Sequence, residues 1–302
     1  MMQIKIIESN KIDTANWNDC VRTHANGLVY AYTEYLQALC DDWVGFVLHD
    51  YEAIMPLPIR KKMGIVYTYQ VPFVQQLGII GSAKHYPFFI DALKEYIQYG
   101  DYDFNFQNEI APHKFFTPYE RCNLTLSLRN DYTTIRKNYK KDLIQNLRKA
   151  NSHGLKYEHA DIDSAINHFQ THYADRSKNY TDKAFIQFKS FCHCPGVQVE
   201  VVCRKVTNAG NELLAIALFL KDNKRVYNMM NTTTTAGRAV AANHFLLDAV
   251  IQEFSSTLLH FDFEGSNIKG IQHFYENFGA SRENYTQIHI NRLPLPLRLL
   301  KQ

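Results

Sequence analysis

The chain has 302 residues, 46% of them hydrophobic and 21% charged, so it is expected to fold into one or two globular bodies rather than stay disordered. A formal net charge of +3 excludes the strongly basic surface of a protein that coats nucleic acid. No apolar run has the length of a membrane span and the N-terminus lacks a signal-peptide core, so a cytoplasmic location is expected.

The first half opens with a strand pattern from Gln3 to Glu8, then helical stretches near Asp13 to Arg22 and Thr33 to Cys40. Strand-like runs follow at Trp43 to His49, Glu52 to Arg60, Gly64 to Gln70 and Gln76 to Gly81, joined by short turns containing Asp, Lys and Gly. From Pro87 to Tyr99 the apolar residues Phe89, Leu93, Tyr96 and Ile97 fall at helical spacing, and Pro87 suits a first turn. A strand is predicted from Tyr102 to Gln107.

The second half repeats this order. Helices are predicted over Asp131 to Asn151, Asp161 to His172 and Thr181 to Cys192, then strands over Val197 to Val206, Glu212 to Lys221 and Arg225 to Asn231. A helix follows from about Ala239 to Phe254, with Val240, His244, Leu247, Ile251 and Phe254 on one face, and then a strand at His260 to Gly265. The closing strands match as Tyr102-Asp103-Phe104 and Phe261-Asp262-Phe263. The repeated element order points to an old duplication with an α+β fold, divided at residues 1–128 and 129–302.

Six cysteines are scattered without a disulfide pattern. Cys192-His193-Cys194 is the one cluster, and it lacks a second ligand pair at zinc-site spacing, so no metal is expected.

Asn231 to Phe254 is the most informative stretch. A strand ends at Asn231, a polar loop with Gly237 follows, and a long helix begins. The first amides of a helix have no internal partner, and the helix dipole makes that end electropositive. Such an entry can hold an anion, with small residues at Gly237 and Ala239 and a cation at Arg238. The same residues also suit a simple cap on a core helix, with Thr235 or Gly237 at the N-cap.

Thr234-Thr235-Ala236-Gly237-Arg238-Ala239 resembles the Q/R-x-x-G-x-G/A loop of GNAT acyltransferases at the glycine and the last small residue, with Thr234 where the family has Gln or Arg. Ile271 to Ala280 is similar to the F-Y-x-x-x-G-F/A segment after the family's fifth strand. The resemblance implies that Thr234 to Ala239 holds the pyrophosphate of acetyl-CoA or another acyl-CoA, and that Tyr275 is the general acid toward the departing thiolate. Glu264, at the end of the preceding strand, is the candidate base for the attacking amine, and His273 is a second candidate. A solvent-facing carboxylate and an ordinary helix aromatic are the structural alternatives for Glu264 and Tyr275.

Arg129 to Glu158 is a basic amphipathic stretch with an apolar stripe at Tyr132, Ile135, Tyr139, Leu143 and Leu147, and Gly154 as its stop. Asn146-Leu147-Arg148-Lys149-Ala150 with Gly154, and Asp262, Phe263, Gly265, Gly270, Phe274, Tyr275, Phe278 and Gly279, resemble the tandem Fem-type GNAT proteins. That implies two GNAT-like modules, each a mixed, mostly antiparallel sheet flanked by helices. It also implies an amine acceptor, either a small molecule or a peptidoglycan-precursor-like one. Fem-type aminoacyltransferases carry a long coiled-coil arm that meets tRNA; no heptad pair of that length is present, which favours acyl-CoA over aminoacyl-tRNA as donor. Leu77 to Phe89 has Gly81 and Ser82 but no G-x-G/A, so the first module is expected to be degenerate for donor binding and to shape the acceptor cleft. A non-catalytic protein that keeps the fold is the third reading.

Overall fold

A computed structural model describes residues 4–173, 180–265 and 267–300. The chain divides into two compact units, residues 1–121 with 284–302, and residues 122–283.

The first unit begins with β1 (Ile4–Glu8), α1 (Thr14–Thr23), α2 (Thr33–Leu39), β2 (Trp43–Leu48) and β3 (Ala53–Pro58). Gln3, at the head of the first expected strand, lies outside the described residues. Asp13 caps α1 by accepting from the amides of Ala15 and Asn16 at 3.1 Å, which gives two of the helix's orphan donors a partner. The strands β1, β2 and β3 pair antiparallel in that order. Every residue of β2 and β3 is buried, so their continuous apolar runs carry no alternation. Trp17 of α1 packs on Trp43 with ring centres 5.3 Å apart and donates its indole N–H to the Ala31 carbonyl at 2.8 Å. A buried indole without that acceptor would be costly.

A hairpin of β4 (Arg60–Lys62) and β5 (Ile65–Tyr67) leads on to α3 (Tyr86–Tyr96), β6 (Tyr99–Phe104) and β7 (Phe116–Arg121). Proline stands in the first turn of α3, and Phe89 and Leu93 are buried, as the spacing predicts. The stretch Gln76 to Gly81 forms no strand; Ile80 makes an isolated bridge with Ile54, and the Leu77 amide bonds the Asp103 carbonyl at 2.9 Å.

The second unit contains β8 (Leu124–Ser127), α4 (Tyr132–Arg136), α5 (Lys141–Ser152), β9 (Lys156–His159), α6 (Ile162–Tyr173) and α7 (Asp182–His193). Three long strands follow, β10 (Glu200–Thr207), β11 (Leu213–Lys221) and β12 (Arg225–Thr233). Then come α8 (Thr235–Ala239), α9 (Ala242–Phe254), β13 (His260–Asp262), α10 (Lys269–Glu276) and β14 (Ser281–Arg282). The single basic helix expected over Asp131 to Asn151 is two helices, parted at Lys137 to Lys140, where the Lys140 amide bonds the Asn277 carbonyl at 2.9 Å instead of a helical partner. Gly154 adopts φ +59°, the left-handed conformation that ends a helix at least cost in glycine.

These strands form one sheet in the order β14-β8-β13-β12-β11-β10-β9. Neighbours are antiparallel except β12 and β13, which run parallel. Leu143 and Leu147 of α5 and Leu246, Leu247, Val250 and Ile251 of α9 join Val202, Ala217, Phe219 and Val226 in one core. Each large side chain fully buried there contributes about 1.5–3 kcal/mol.

The chain then returns to the first unit as β15 (Tyr285–Asn291) and ends in α11 (Leu297–Leu300). The strand β15 pairs antiparallel with both β6 and β7, which completes the sheet β4-β5-β6-β15-β7. The expected division between residues 128 and 129 is therefore corrected on two counts. The boundary lies at Arg121 and Cys122, and residues 284–302 belong with the first unit because their strand's hydrogen bonds lie there.

Candidate functional site

In the second unit β12 and β13 begin together and then part. They pair at Arg225–His260, Val226–Phe261 and Tyr227–Asp262; β13 stops at Asp262, while β12 runs on to Thr233, its strand partner there among the described residues being β11. The far half of β12 therefore presents main-chain donors and acceptors on the side where β13 has ended, and such an edge can align an extended ligand or polarise a carbonyl. The base of this fork is fixed by charge. Arg225 donates to Asp262 at 2.8 Å and to Glu283 at 2.6 Å, and Asp262 also accepts from the Glu264 amide at 3.0 Å.

Glu264 follows directly. Its backbone takes φ +57°, a left-handed conformation that costs a non-glycine residue energy and is concentrated at functional sites. The neighbouring Gly265 has to be bare, because a Cβ there would lie 2.3 Å from the Cys122 carbonyl oxygen. Burial pushes the Glu264 carboxyl up to about 8, so it holds a proton far more tightly than a solvated carboxylate.

Tyr275 reaches the same place from α10. Its ring lies 4.7 Å from that of Phe263, and burial first, then the charges of Glu264 and Tyr173, raise its hydroxyl pKa, with hydrogen bonding from Asn228 pulling the other way. At neutral pH the hydroxyl is a proton donor. The structure thus brings the two expected catalytic residues together, one a strand-end carboxyl and the other a helix hydroxyl. His273, on the same helix, is exposed and outside this cluster.

The loop from Thr234 to Ala239 is largely engaged with itself and with β11. Thr234 caps α8, accepting from the Gly237 amide at 2.9 Å, and its own amide and hydroxyl donate to the Leu214 carbonyl at 2.9 and 3.2 Å. A Cβ on Gly237 would stand 2.0 Å from that same Leu214 oxygen. The glycine therefore permits close packing of α8 on β11. Arg238 donates to the Thr233 carbonyl at 3.0 Å and to the Thr235 hydroxyl at 3.2 Å. Thr235, Arg238 and Ala239 are exposed or partly exposed around this turn, and Ala236 is exposed.

The long helix expected from Ala239 starts at Ala242. Ala241, at φ +57°, breaks it from α8, and α9 has no side-chain cap. Its first amides are the ones left for an anion, three residues beyond the expected position.

Among the described residues, five buried side-chain atoms on β12 and the first turn of α9 lack a hydrogen-bond partner: Asn228 Oδ1, Asn231 Nδ2, Thr232 Oγ1, Asn243 Oδ1 and His244 Nδ1. Buried polar atoms are normally satisfied, so such a concentration marks a place built for something other than stability. His244 contacts Phe274 with ring centres 4.8 Å apart, and burial lowers its pKa to about 4, so the imidazole is neutral at physiological pH. The sequence placed His244 only on an apolar stripe and Asn231 only at a strand end; the signal available was the pair of asparagines in the otherwise apolar run Val226 to Asn231.

Of the cysteine cluster, Cys192 is buried, Cys194 is exposed, and His193 bonds Asp163 at 2.8 Å. Among the described residues no group of three potential metal-ligating side chains comes together. No described helix is long and apolar enough to cross a membrane.

No protein-family model and no curated protein matches the chain. Solved structures do match. The structure of FemX superposes with a TM-score of 0.67 at 12% identity, covering 99% of this chain and 100% of that one. A conserved protein of unknown function from Bacteroides thetaiotaomicron gives 0.60 at 10% identity, covering 96% and 100%. The C-terminal domain of a putative lysylphosphatidylglycerol synthetase from Agrobacterium fabrum gives 0.57 at 13% identity, covering 95% and 94%. At these identities the likeness concerns the fold: the chain has an α+β, GNAT-like fold of the FemX type.

Proposed function

We propose that this chain is an N-acyltransferase that moves an acyl group directly from acyl-CoA to an amine, with its chemistry in the second unit. The observation that supports this most is the meeting of a partly buried carboxyl titrating near neutrality, Glu264, with a partly buried neutral phenol, Tyr275, beside the parting of β12 and β13. Widely separated proton affinities in adjacent groups are what acid–base catalysis needs. The amine attacks the thioester carbonyl while Glu264 takes its proton. The C–N bond forms, the C–S bond breaks, and Tyr275 gives its proton to the leaving thiolate. Main-chain N–H groups of the unpaired part of β12 stabilise the oxyanion, and positioning does most of the rest. The donor's pyrophosphate lies at the turn Thr234 to Ala239 and the uncapped start of α9. The first unit is a second, degenerate copy of the module, and the enzyme works in the cytoplasm, where acyl-CoA is made.

A second reading has its own observation. Asn228 Oδ1 and Asn243 Oδ1 are buried acceptors without a donor, and an aminoacyl group would bring an ammonium with N–H donors to them. In that case the donor is aminoacyl-tRNA and the acceptor a cell-wall precursor, the Fem-type reaction.

Thermal shift separates the two. Acetyl-CoA or a longer acyl-CoA should raise the melting temperature of the full chain, because a ligand of the native state stabilises it by mass action. Stabilisation by charged tRNA with no response to any coenzyme A ester would favour the second reading. No response to either leaves the fold without the chemistry.

A further inference from the structure

The hairpin of β4 and β5 in the first unit has a tip that folding alone does not account for. Met63 and Gly64 form its turn at φ +51° and +78°. That is the territory of Asn, Asp and Gly, and a methionine there costs backbone energy. Met63 is also 93% exposed. A flexible apolar side chain at the outermost point of a strained turn contributes little to folding in water.

Its surroundings are of one kind. Met63, with Lys62, Ile65, Tyr67, Tyr99, Leu293 and Leu297, lines a hollow of about 340 Å³. Leu295 is 72% exposed on the adjoining segment. That segment is held to β15 by the Arg298 carbonyl, which accepts from the Asn291 side chain at 3.3 Å, and is closed on itself by the Arg298 amide, which donates to the Pro294 carbonyl at 3.1 Å. The charges on both strips have one sign. Residues 60–67 contain Arg60, Lys61 and Lys62 and no acid, and residues 292–298 contain Arg292 and Arg298 and no acid. Lys61, Lys62 and Arg298 are exposed. Cations around projecting Met and Leu side chains, with tyrosines at their base, are complementary to an anionic lipid interface, where apolar groups enter the acyl region and cations meet phosphate.

We propose that this face, carried by the Met63 hairpin and the segment Leu293 to Arg298, docks the protein reversibly on anionic membrane surfaces. Met63, Leu295 and Leu297 insert, and Lys61, Lys62 and Arg298 lie at headgroup level. This goes beyond the acyl-transfer reading and does not depend on it.

The test is co-sedimentation of the full chain with vesicles of phosphatidylcholine alone and of phosphatidylcholine mixed with phosphatidylglycerol, at low and high salt. Binding is expected on the mixed vesicles and should weaken with salt. A surface lysine contributes about fivefold in partitioning, so Lys61→Gln with Lys62→Gln should reduce it by about 25-fold. Met63→Ser should reduce it by about tenfold. Because Met63 is exposed, its variant should melt as the parent does, and that measurement excludes misfolding as the cause. Equal binding to both vesicle types, absence of binding, or binding indifferent to these substitutions overturns the proposal. So does self-association of the chain that Met63→Ser abolishes without any vesicle binding, since the occupant would then be a second copy.

Discussion

Arg225 and Asp262 form a buried ion pair at 2.8 Å across the three rungs shared by β12 and β13. Both side chains are almost wholly removed from solvent, at 6% and 1% exposure, so either charge left alone would be very poorly solvated. Asp262→Ala is therefore expected to cost about 3–5 kcal/mol in denaturant unfolding, even though Glu283 still contacts Arg225. Replacing both partners, with Arg225→Met and Asp262→Leu, should recover much of that loss. A double variant no more stable than Asp262→Ala would mean that the pair is needed to hold the fork and not only to neutralise itself.

The raised pKa of Glu264 makes a signed prediction about pH. The unfolded carboxyl titrates near its ordinary value of 4.5 and the folded one near 8. Between those values the native state binds more protons than the unfolded state, so native stability falls as pH rises through that window. Each unit of separation corresponds to about 1.4 kcal/mol. Melting temperatures of the parent should drop between pH 5 and pH 8, at roughly those limits of the window. Glu264→Gln should flatten that slope. If the two slopes coincide, the carboxyl is not buried in solution and its role as base is lost with it.

Tyr275→Phe keeps the ring that packs on Phe263 and removes only the hydroxyl. Loss of a general acid costs about 10²–10⁴ in rate. The variant should melt close to the parent and lose turnover within that range, with KM for the thioester little changed. Equal loss with a thioester whose leaving thiol is already acidic would argue against proton donation, since such a thiolate needs no acid.

Much of the fold was legible in residue order, because it rests on local periodicity. The helix α3, with Phe89 and Leu93 inward and proline in its first turn, follows from spacing alone, as do the apolar strands β11 and β12. The strand β15 was not legible. Its partner residues on β6 lie about 190 positions earlier, as in the 2.7 Å contact of His289 with Asp101, and no local pattern records so distant a pairing. The break between α4 and α5 was hidden for a similar reason: the amide of Lys140 is satisfied by Asn277, remote in sequence. At the candidate site, Glu264 and Tyr275 were reachable through their place after a strand and on the following helix. Asn228, Asn243 and His244 were not, because a polar residue in an apolar run looks the same whether it serves a ligand or ends a strand.

The turn at Gly237 separates packing from binding. Any Cβ at this position meets the Leu214 carbonyl at 2.0 Å, and the backbone cannot yield without moving β11 or α8. Gly237→Ala should therefore destabilise the unit by about 1–3 kcal/mol, the usual range for overpacking, whether or not a donor is present. Thr234→Ala removes the hydroxyl that caps α8 and should cost about 1 kcal/mol. Neither loss by itself reports on acyl-CoA. Arg238→Gln does, because the side chain lies at the exposed edge of the turn, bonded to Thr233 and Thr235. If the pyrophosphate settles beside it, Arg238→Gln should weaken the thermal shift given by acetyl-CoA several-fold while leaving the ligand-free melting temperature nearly unchanged. A shift as large in the variant as in the parent would move the donor site away from this turn, toward the uncapped start of α9 alone.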